Sequence, residues 1–307
     1  MALTGPLTYF GGKKVVAKEI VQRFPAGSDL YLEPFFGGGG VYFQIPRGLF
    51  RSLVVNDLNR SIVTFYRVLR DRPEDLVRAC TLTPYALSEQ RTCRDASQDP
   101  HDTDELEVAR RVWVRCRQNF GGTQHASTGW KRPGVGTNLM MGGEGHLQEL
   151  YAYAELLRFV HFECGDATTL VQRYAKPGVF IYEDPPYHFE SRGTDFGYEK
   201  EMTHEQHEGL LAANMEASSK GAMILISGYG GEFYNRAYAG WRRIEFQRAQ
   251  KACAGADNQG PATEVLWANY PESVEIGLGW QNSTVPTGSD PKERALVAAL
   301  RQRGKVR

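Results

Sequence analysis

The run Val179-Phe180-Ile181-Tyr182-Glu183 leads directly into Asp184-Pro185-Pro186-Tyr187, and this junction constrains the chain more than any other segment. A short, nearly continuous apolar run is characteristic of a strand buried on both faces, as in the middle of a parallel sheet. Two consecutive prolines fix φ and remove two N–H donors, so the strand has to end there. Backbone carbonyls and the Asp184 carboxylate are left as acceptors with few competing donors, beside the ring of Tyr187. In open α/β sheets the carboxyl ends of strands border the ligand crevice. Such a set suits a planar group with an exocyclic amine, whose N–H groups need acceptors and whose face needs a ring. The same four residues also describe a plain strand followed by a Pro-Pro turn, so the surrounding motifs have to decide.

The surrounding rhythm is that of an α/β protein with a doubly wound sheet. Val16, Ile20 and Phe24 recur at helical spacing after Gly11-Gly12, and a strand is predicted over Asp29–Glu33. A second strand, Leu53–Val55, ends in Asn56-Asp57, and Ile62, Phe65, Tyr66 and Leu69 then share one helical face. Strands return at Phe159–Glu163, Val179–Glu183 and Ala222–Ser227. Arg243–Phe246 and Glu264–Tyr270 alternate as an antiparallel pair at a sheet edge would. Between about Pro73 and Leu150 the rhythm is lost. That stretch is polar and arginine-rich and passes into a glycine-rich segment from Gly121 to Gly145, predicted as a long loop. The division expected is a catalytic domain over 1–72 and 156–285, an inserted, mainly helical lobe over 73–155, and a basic tail over 286–307.

Two further segments have the composition of a cofactor site. Glu33-Pro34-Phe35-Phe36-Gly37-Gly38-Gly39-Gly40 follows the first strand, where glycines let backbone approach a ligand closely. The spacing is not G-x-G-x-x-G and no P-loop lysine follows, which favours a cofactor without a pyrophosphate. Asp57 ends the second strand, where a carboxylate can accept from ribose hydroxyls. Near the start, Tyr9-Phe10-Gly11-Gly12-Lys13 sets an aromatic ring, a turn and a cation ahead of a helix. Lys13 there can pair with the carboxylate of an amino-acid-like ligand, or simply face solvent. Asp166 offers another carboxylate at the same sheet edge, or an N-cap for the helix after it.

Formal net charge is zero, so any nucleic-acid surface has to be local. Arg110, Arg111, Arg115, Arg117, Lys131 and Arg132 lie in a stretch without an acidic residue. On a helix some of these form a solvated face; Lys131 and Arg132, in a glycine-rich loop beside Trp130, suit phosphates or a groove. Five scattered cysteines without a C-x-x-C pair fit reduced thiols in a cytoplasm and argue against a disulfide framework or zinc knuckle. Met1 to Pro6 lacks the basic flank and apolar stretch expected of a secretory signal, and no apolar run approaches the roughly 20 residues of a membrane span. His204-Glu205-Gln206-His207 lacks the H-E-x-x-H spacing of a zinc helix; Thr203 fits an N-cap and the segment a surface helix.

In this order, the motifs resemble the Dam-like, α-group (D12 class) DNA adenine N6-methyltransferases over most of the chain. The resemblance implies an S-adenosylmethionine-dependent methyltransferase fold with an inserted target-recognition lobe. It implies Asp184, Pro185, Pro186 and Tyr187 as the catalytic motif. It places S-adenosylmethionine against Tyr9, Gly11, Gly12, Lys13, Glu33, Pro34, Phe35, Gly37, Gly39, Asp57, Asp166 and Asp184. Duplex DNA would be met by Arg115, Arg117, Asn119, Lys131 and Arg132, although the residues around Asn119 lack the aromatic-rich pattern expected there. The expected protein is a monomer or weak dimer, works without a metal, and flips its target base. Methylation of cytosine N4, an RNA adenine or a protein glutamine is the neighbouring reading. A DNA- or nucleotide-binding protein without turnover is a third, and a nicotinamide dehydrogenase is disfavoured by its missing glycine fingerprint.

Overall fold

A computed structural model describes residues 3–8, 12–96, 99, 101, 103–119, 129–132, 141–187, 202–248 and 262–277, with backbone only for 141–146, 247, 248 and 262. The strands are Leu30–Glu33 (β1), Ser52–Asn56 (β2), Val160–Glu163 (β3), Val179–Glu183 (β4), Met223–Tyr229 (β5), Arg242–Arg248 (β6) and Ala262–Ala268 (β7). They form one sheet in the order β3-β2-β1-β4-β5-β7-β6. The first five are parallel, whereas β7 runs antiparallel to both β5 and β6. β4 lies between β1 and β5 and is buried at every position, as its apolar run predicts. Strand order turns back between β1 and β4, which places a crevice between the loops that follow them.

Helices cover both faces. Ala17–Val21 (α1), Arg60–Asp71 (α2), Pro73–Thr81 (α3), Leu87–Asp95 (α4), Glu105–Gln118 (α5) and Met141–Leu157 (α6) precede β3. Ala167–Tyr174 (α7), His204–Ser219 (α8) and Glu232–Ala237 (α9) follow it. Alternation along the strands sorts the core. Tyr31, Val55, Phe180, Tyr182, Leu225 and Leu266 join a cluster with α1, α2, α3, α5 and α6. Their strand neighbours Leu32, Val54, Ile181, Ile224, Ile226 and Val265 pack with α7, α8 and α9. The helices of the inserted segment thus share one core with α2 and the sheet.

Several boundaries differ from the sequence reading for local reasons. α1 is shorter than its periodicity predicts: Phe24 stays buried but precedes Pro25, whose ring disfavours helix at the residue before it. β7 stops at Ala268 because the Asn269 side chain accepts from the Ile224 N–H at 2.8 Å and donates to the Ala222 carbonyl at 2.9 Å. Gly142, Gly143 and Gly145, expected in a loop, are helical in α6. The rest of that glycine-rich stretch, apart from residues 129–132, lies outside the described residues, as does the tail beyond residue 277. At α8, Thr203 and Gln206 form a reciprocal capping box, and His207 is buried against Phe233 and Tyr234.

Candidate active site

On the face shared with α1 and α2, the apolar rows give way to polar groups at the carboxyl edge of the sheet. Tyr31 is followed two residues on by Glu33, Tyr182 by Asp184 and Leu225 by Ser227. β7 runs the other way, so its early residue Glu264, in register with Tyr229, arrives at the same edge. Three acids and a serine thereby converge from four strands.

Lys13 enters this cluster from the N-terminal segment and is itself buried, at 3% exposure. Its ammonium lies 2.9 Å from Asp184 Oδ1 and 3.4 Å from Glu264 Oε1. It also sits over the Tyr187 ring, 4.6 Å from the centroid. The Tyr187 hydroxyl donates to Glu264 Oε1 at 2.6 Å, and Ser227 Oγ donates to the same oxygen at 2.8 Å. Tyr187 and Tyr229 also meet edge-on, with ring centroids 4.6 Å apart. Burial and the neighbouring Glu264 charge push the Asp184 carboxyl above its ordinary range, while Lys13 opposes them. Burial likewise raises Glu33 well above its usual value, with Asp184 and Asp57 adding to the effect, although the Tyr31 hydroxyl donates to it at 2.8 Å. The edge is therefore rich in acceptors, with one buried cation between two of them.

The glycine loop lies beside this cluster and is held in a defined shape. The two carboxylate oxygens of Asp57 accept from the Gly37 and Asn59 N–H groups, each at 2.8 Å. Gly39 sits at φ +66°, and a Cβ there would fall 2.7 Å from the Phe43 ring. The loop also receives the N-terminal segment closely: a Cβ on Gly5 would lie 2.5 Å from the Gly38 carbonyl oxygen. Asn56, which the sequence reading passed over, ties the loops together. Its amide donates to the Pro34 and Gly165 carbonyls at 2.9 and 3.0 Å, and its carbonyl accepts from the Gly165 N–H at 2.9 Å. Asp166 caps α7 through Oδ1, which accepts from the Thr169 N–H at 2.9 Å. Tyr9, Phe10 and Gly11 lie outside the described residues, while Gly12 and Phe35 are half-buried and Pro34 is buried.

The residues expected at DNA divide sharply. Arg115 and Asn119, expected at DNA, are interior, at 2% and 0% exposure. Val108, Val112, Arg115 and Asn119 follow one another at four, three and four residues, so both polar residues ride on the buried stripe of α5. Asn119 Oδ1 accepts from Gln90 at 2.8 Å. Arg117 is half-buried with its guanidinium 4.6 Å from the centroid of the Trp113 ring. Arg110 and Arg111 are engaged by Glu89 and Glu107 at 2.6 to 2.8 Å. Lys131 and Arg132 are exposed, on a segment pinned by the Lys131 N–H to the Gln118 carbonyl at 2.7 Å and by the Tyr85 hydroxyl to the Lys131 carbonyl at 2.6 Å. Among the described residues no group of three or more His, Cys, Asp and Glu is placed to hold a metal ion. No helix among them is long and apolar enough to cross a membrane.

Comparison with known proteins gives this geometry its context. Residues 9–250 match the family described as D12 class N6 adenine-specific DNA methyltransferase. The chain is 25% identical to a Type II methyltransferase of Lactococcus lactis subsp. cremoris, over 85% of this chain and 93% of that protein. It is 27% identical to the DNA N-6-adenine-methyltransferase of Escherichia phage P1, over 83% of this chain and 34% of that one. With the DNA adenine methylase of Serratia marcescens it shares 28% identity, over 59% of this chain and 66% of the relative. The match spans the glycine loop, the Asp184 motif and the segment between them, and the chain belongs to the D12 class of N6 adenine-specific DNA methyltransferases.

Proposed function

We propose that the chain transfers a methyl group from S-adenosylmethionine to adenine N6 in duplex DNA, with Asp184 as the acceptor that activates the amine. The observation that carries this reading is the position of Asp184. It ends the central strand, beside the β1 loop, with a buried ammonium 2.9 Å away to keep it ionised.

The donor set fits S-adenosylmethionine. The loop at Glu33, Pro34, Phe35, Gly37 and Gly39 has the close backbone approach a nucleoside needs, and the Asp57 carboxylate directly after β2, bonded to the loop at Gly37, suits ribose hydroxyls. Asp166 keeps Oδ2 for an adenine amine while Oδ1 caps α7. Tyr9, Gly11, Gly12 and Lys13 would complete the site from the N-terminal side. The sulfonium supplies a methyl that is already electrophilic, so the protein has to supply alignment and a better nucleophile.

Asp184 and the Pro185 carbonyl accept from the two N6 hydrogens, which localises the nitrogen lone pair. Hydrogen bonds to a charged group contribute about 1.5–3 kcal/mol, and this one strengthens as positive charge develops on N6. Asp184 is then placed to take the proton that N6 gives up. Pro186 fixes the turn, and Tyr187 offers a ring to a base that has left the duplex; stacking of about 1–3 kcal/mol per base offsets part of the few kcal/mol of unstacking. The segment over 73–155 serves as the recognition lobe, with Lys131 and Arg132 as outward DNA contacts. The enzyme works as a monomer or weak dimer in the cytoplasm, without a metal; Cys80, Cys93 and Cys116 form no disulfide, which accords with a reducing compartment.

The test is to incubate the protein with labelled S-adenosylmethionine and duplex DNA, RNA or protein, and to identify the modified base in a nuclease digest. N6-methyladenine from DNA is expected. Asp184→Ala should abolish transfer while leaving donor affinity nearly unchanged; near-normal turnover in that variant would overturn the assignment.

A further inference from the structure

We propose that Glu264 is a positioning residue of the methyl-transfer site, holding the Tyr187 ring and the Lys13 ammonium in register with Asp184. The proposal rests on the reading of Asp184 as the N6 acceptor.

One oxygen, Oε1, gathers three partners: the Tyr187 hydroxyl at 2.6 Å, Ser227 Oγ at 2.8 Å and the Lys13 ammonium at 3.4 Å. Oε2 is buried without a hydrogen-bond partner among the described residues. A fully buried carboxylate is costly, and bonds to a tyrosine and a serine alone would be met as well by a neutral amide. Only Lys13 requires the charge. With two acids around one ammonium, Lys13 keeps a partner when Asp184 turns to receive an amine. Without the second acid, the ammonium would be drawn more strongly onto Asp184, in competition with the substrate. The phenol bond acts at the same time on orientation. Tyr187 follows two prolines and is tethered at its far end by Glu264, so its ring plane beside Asp184 is fixed from both ends.

Glu264→Gln keeps the shape and can still accept the Tyr187 phenol, but loses the charge. It is expected to lower kcat at least ten-fold at saturating DNA and donor, with the S-adenosylmethionine Kd, read by calorimetry, within three-fold of wild type. Among the described residues, the titratable groups facing Asp184 are Lys13, Glu33, Tyr182, Tyr187 and Glu264. Removing the Glu264 charge removes a repulsion, so the acid limb of the kcat/KM profile should move to lower pH, which a merely structural role would not produce. Glu264→Gln combined with Tyr187→Phe should lose less than the product of the two single losses, as expected of residues acting as a unit. A kcat within two-fold of wild type, an acid limb that stays or rises, or losses that multiply would each overturn the proposal. Glu264→Asp, made in parallel, keeps the charge but withdraws it by one methylene. It should lower kcat at least five-fold with the acid limb unmoved, and wild-type turnover in it overturns the proposal even if the Gln variant does not fold. Wild-type protein that forms no N6-methyladenine would instead overturn the reaction on which this role rests.

Discussion

Asp184 has two opposed requirements. In the proposed role it has to be ionised to accept from an amine, yet it sits where burial and Glu264 both favour the protonated form. Lys13, 2.9 Å away, is what offsets them. Because the ionised form is the active one, turnover falls as pH drops through the raised Asp184 value, so the acid limb of kcat/KM should lie above the ordinary aspartate range. Replacing Lys13 by Gln removes the neighbour that most favours ionisation, leaving the weaker contribution of Tyr187, and the limb should move to still higher pH. A pH–rate series on the two proteins checks this, and a limb that stays in place or moves down would show that Lys13 does not serve Asp184. The shift runs opposite to that expected of Glu264→Gln, so the two variants report on the two sides of one balance.

β4 shows a second consequence of strand alternation. Asp184 faces the site, whereas Glu183 turns to the other face, where Asn214 of α8 donates to it at 2.8 Å. Burial pushes the Glu183 carboxyl up to about 8, with the Asn214 amide opposing. A folded-state value above the unfolded value of about 4.3 means that stability is fully present below pH 4 and is lost as pH rises towards 8. Glu183→Gln has no charge to bury, so its melting temperature should match wild type near pH 4 and exceed it increasingly towards pH 8. One pKa unit corresponds to about 1.4 kcal/mol, which puts the gain on the order of a few kcal/mol. The glycine loop gives a different kind of element-scale test. Gly39→Ala would meet both the +66° φ and the Phe43 ring, costing about 1–3 kcal/mol, or roughly 2–4 °C in Tm per kcal/mol. Its donor Kd should weaken several-fold more than that of an Ala variant at exposed Gly27, measured alongside.

These elements also show what the sequence could reveal. β4 and its Pro-Pro stop are legible because burial on both faces and two fixed φ angles are local facts. The glycine loop and Asp57 are legible because they follow strands that the pattern already marks. Glu264 was not, because it reaches the site only through the antiparallel insertion of β7 between β5 and β6, which no local spacing encodes. The burial of Arg115 and Asn119 was hidden for the reverse reason. Their spacing from Val108 and Val112 put them on the apolar stripe, but their chemistry suggested a surface.

At the scale of the whole molecule the charge is balanced, and much of the basic stretch is spent internally. Arg110 and Arg111 are held by Glu107 and Glu89, and Arg67 pairs with Glu105 at 3.3 Å. In the proposed reading DNA is met by local cations on an anchored surface, and the Lys131–Arg132 segment has that character. The Asn119–Trp130 bridge, the Lys131 backbone bonds and the Tyr85–Trp130 ring contact at 5.9 Å fix the backbone while both side chains stay exposed. If both contact phosphates, removing them should release fewer counterions on binding. Each phosphate contact contributes about 0.9 to the slope of log K against log salt, so Lys131→Ser with Arg132→Ser should make that slope shallower by about 2. The loss of affinity should be nearly uniform across DNA sequences, because phosphates position the protein and bases specify it. Arg115→Gln provides the contrast. As an interior residue it should lower the melting temperature and leave the salt slope within error of wild type. An unchanged slope in the double variant, or a shallower one in Arg115→Gln, would move the DNA surface off the Lys131–Arg132 segment and onto α5.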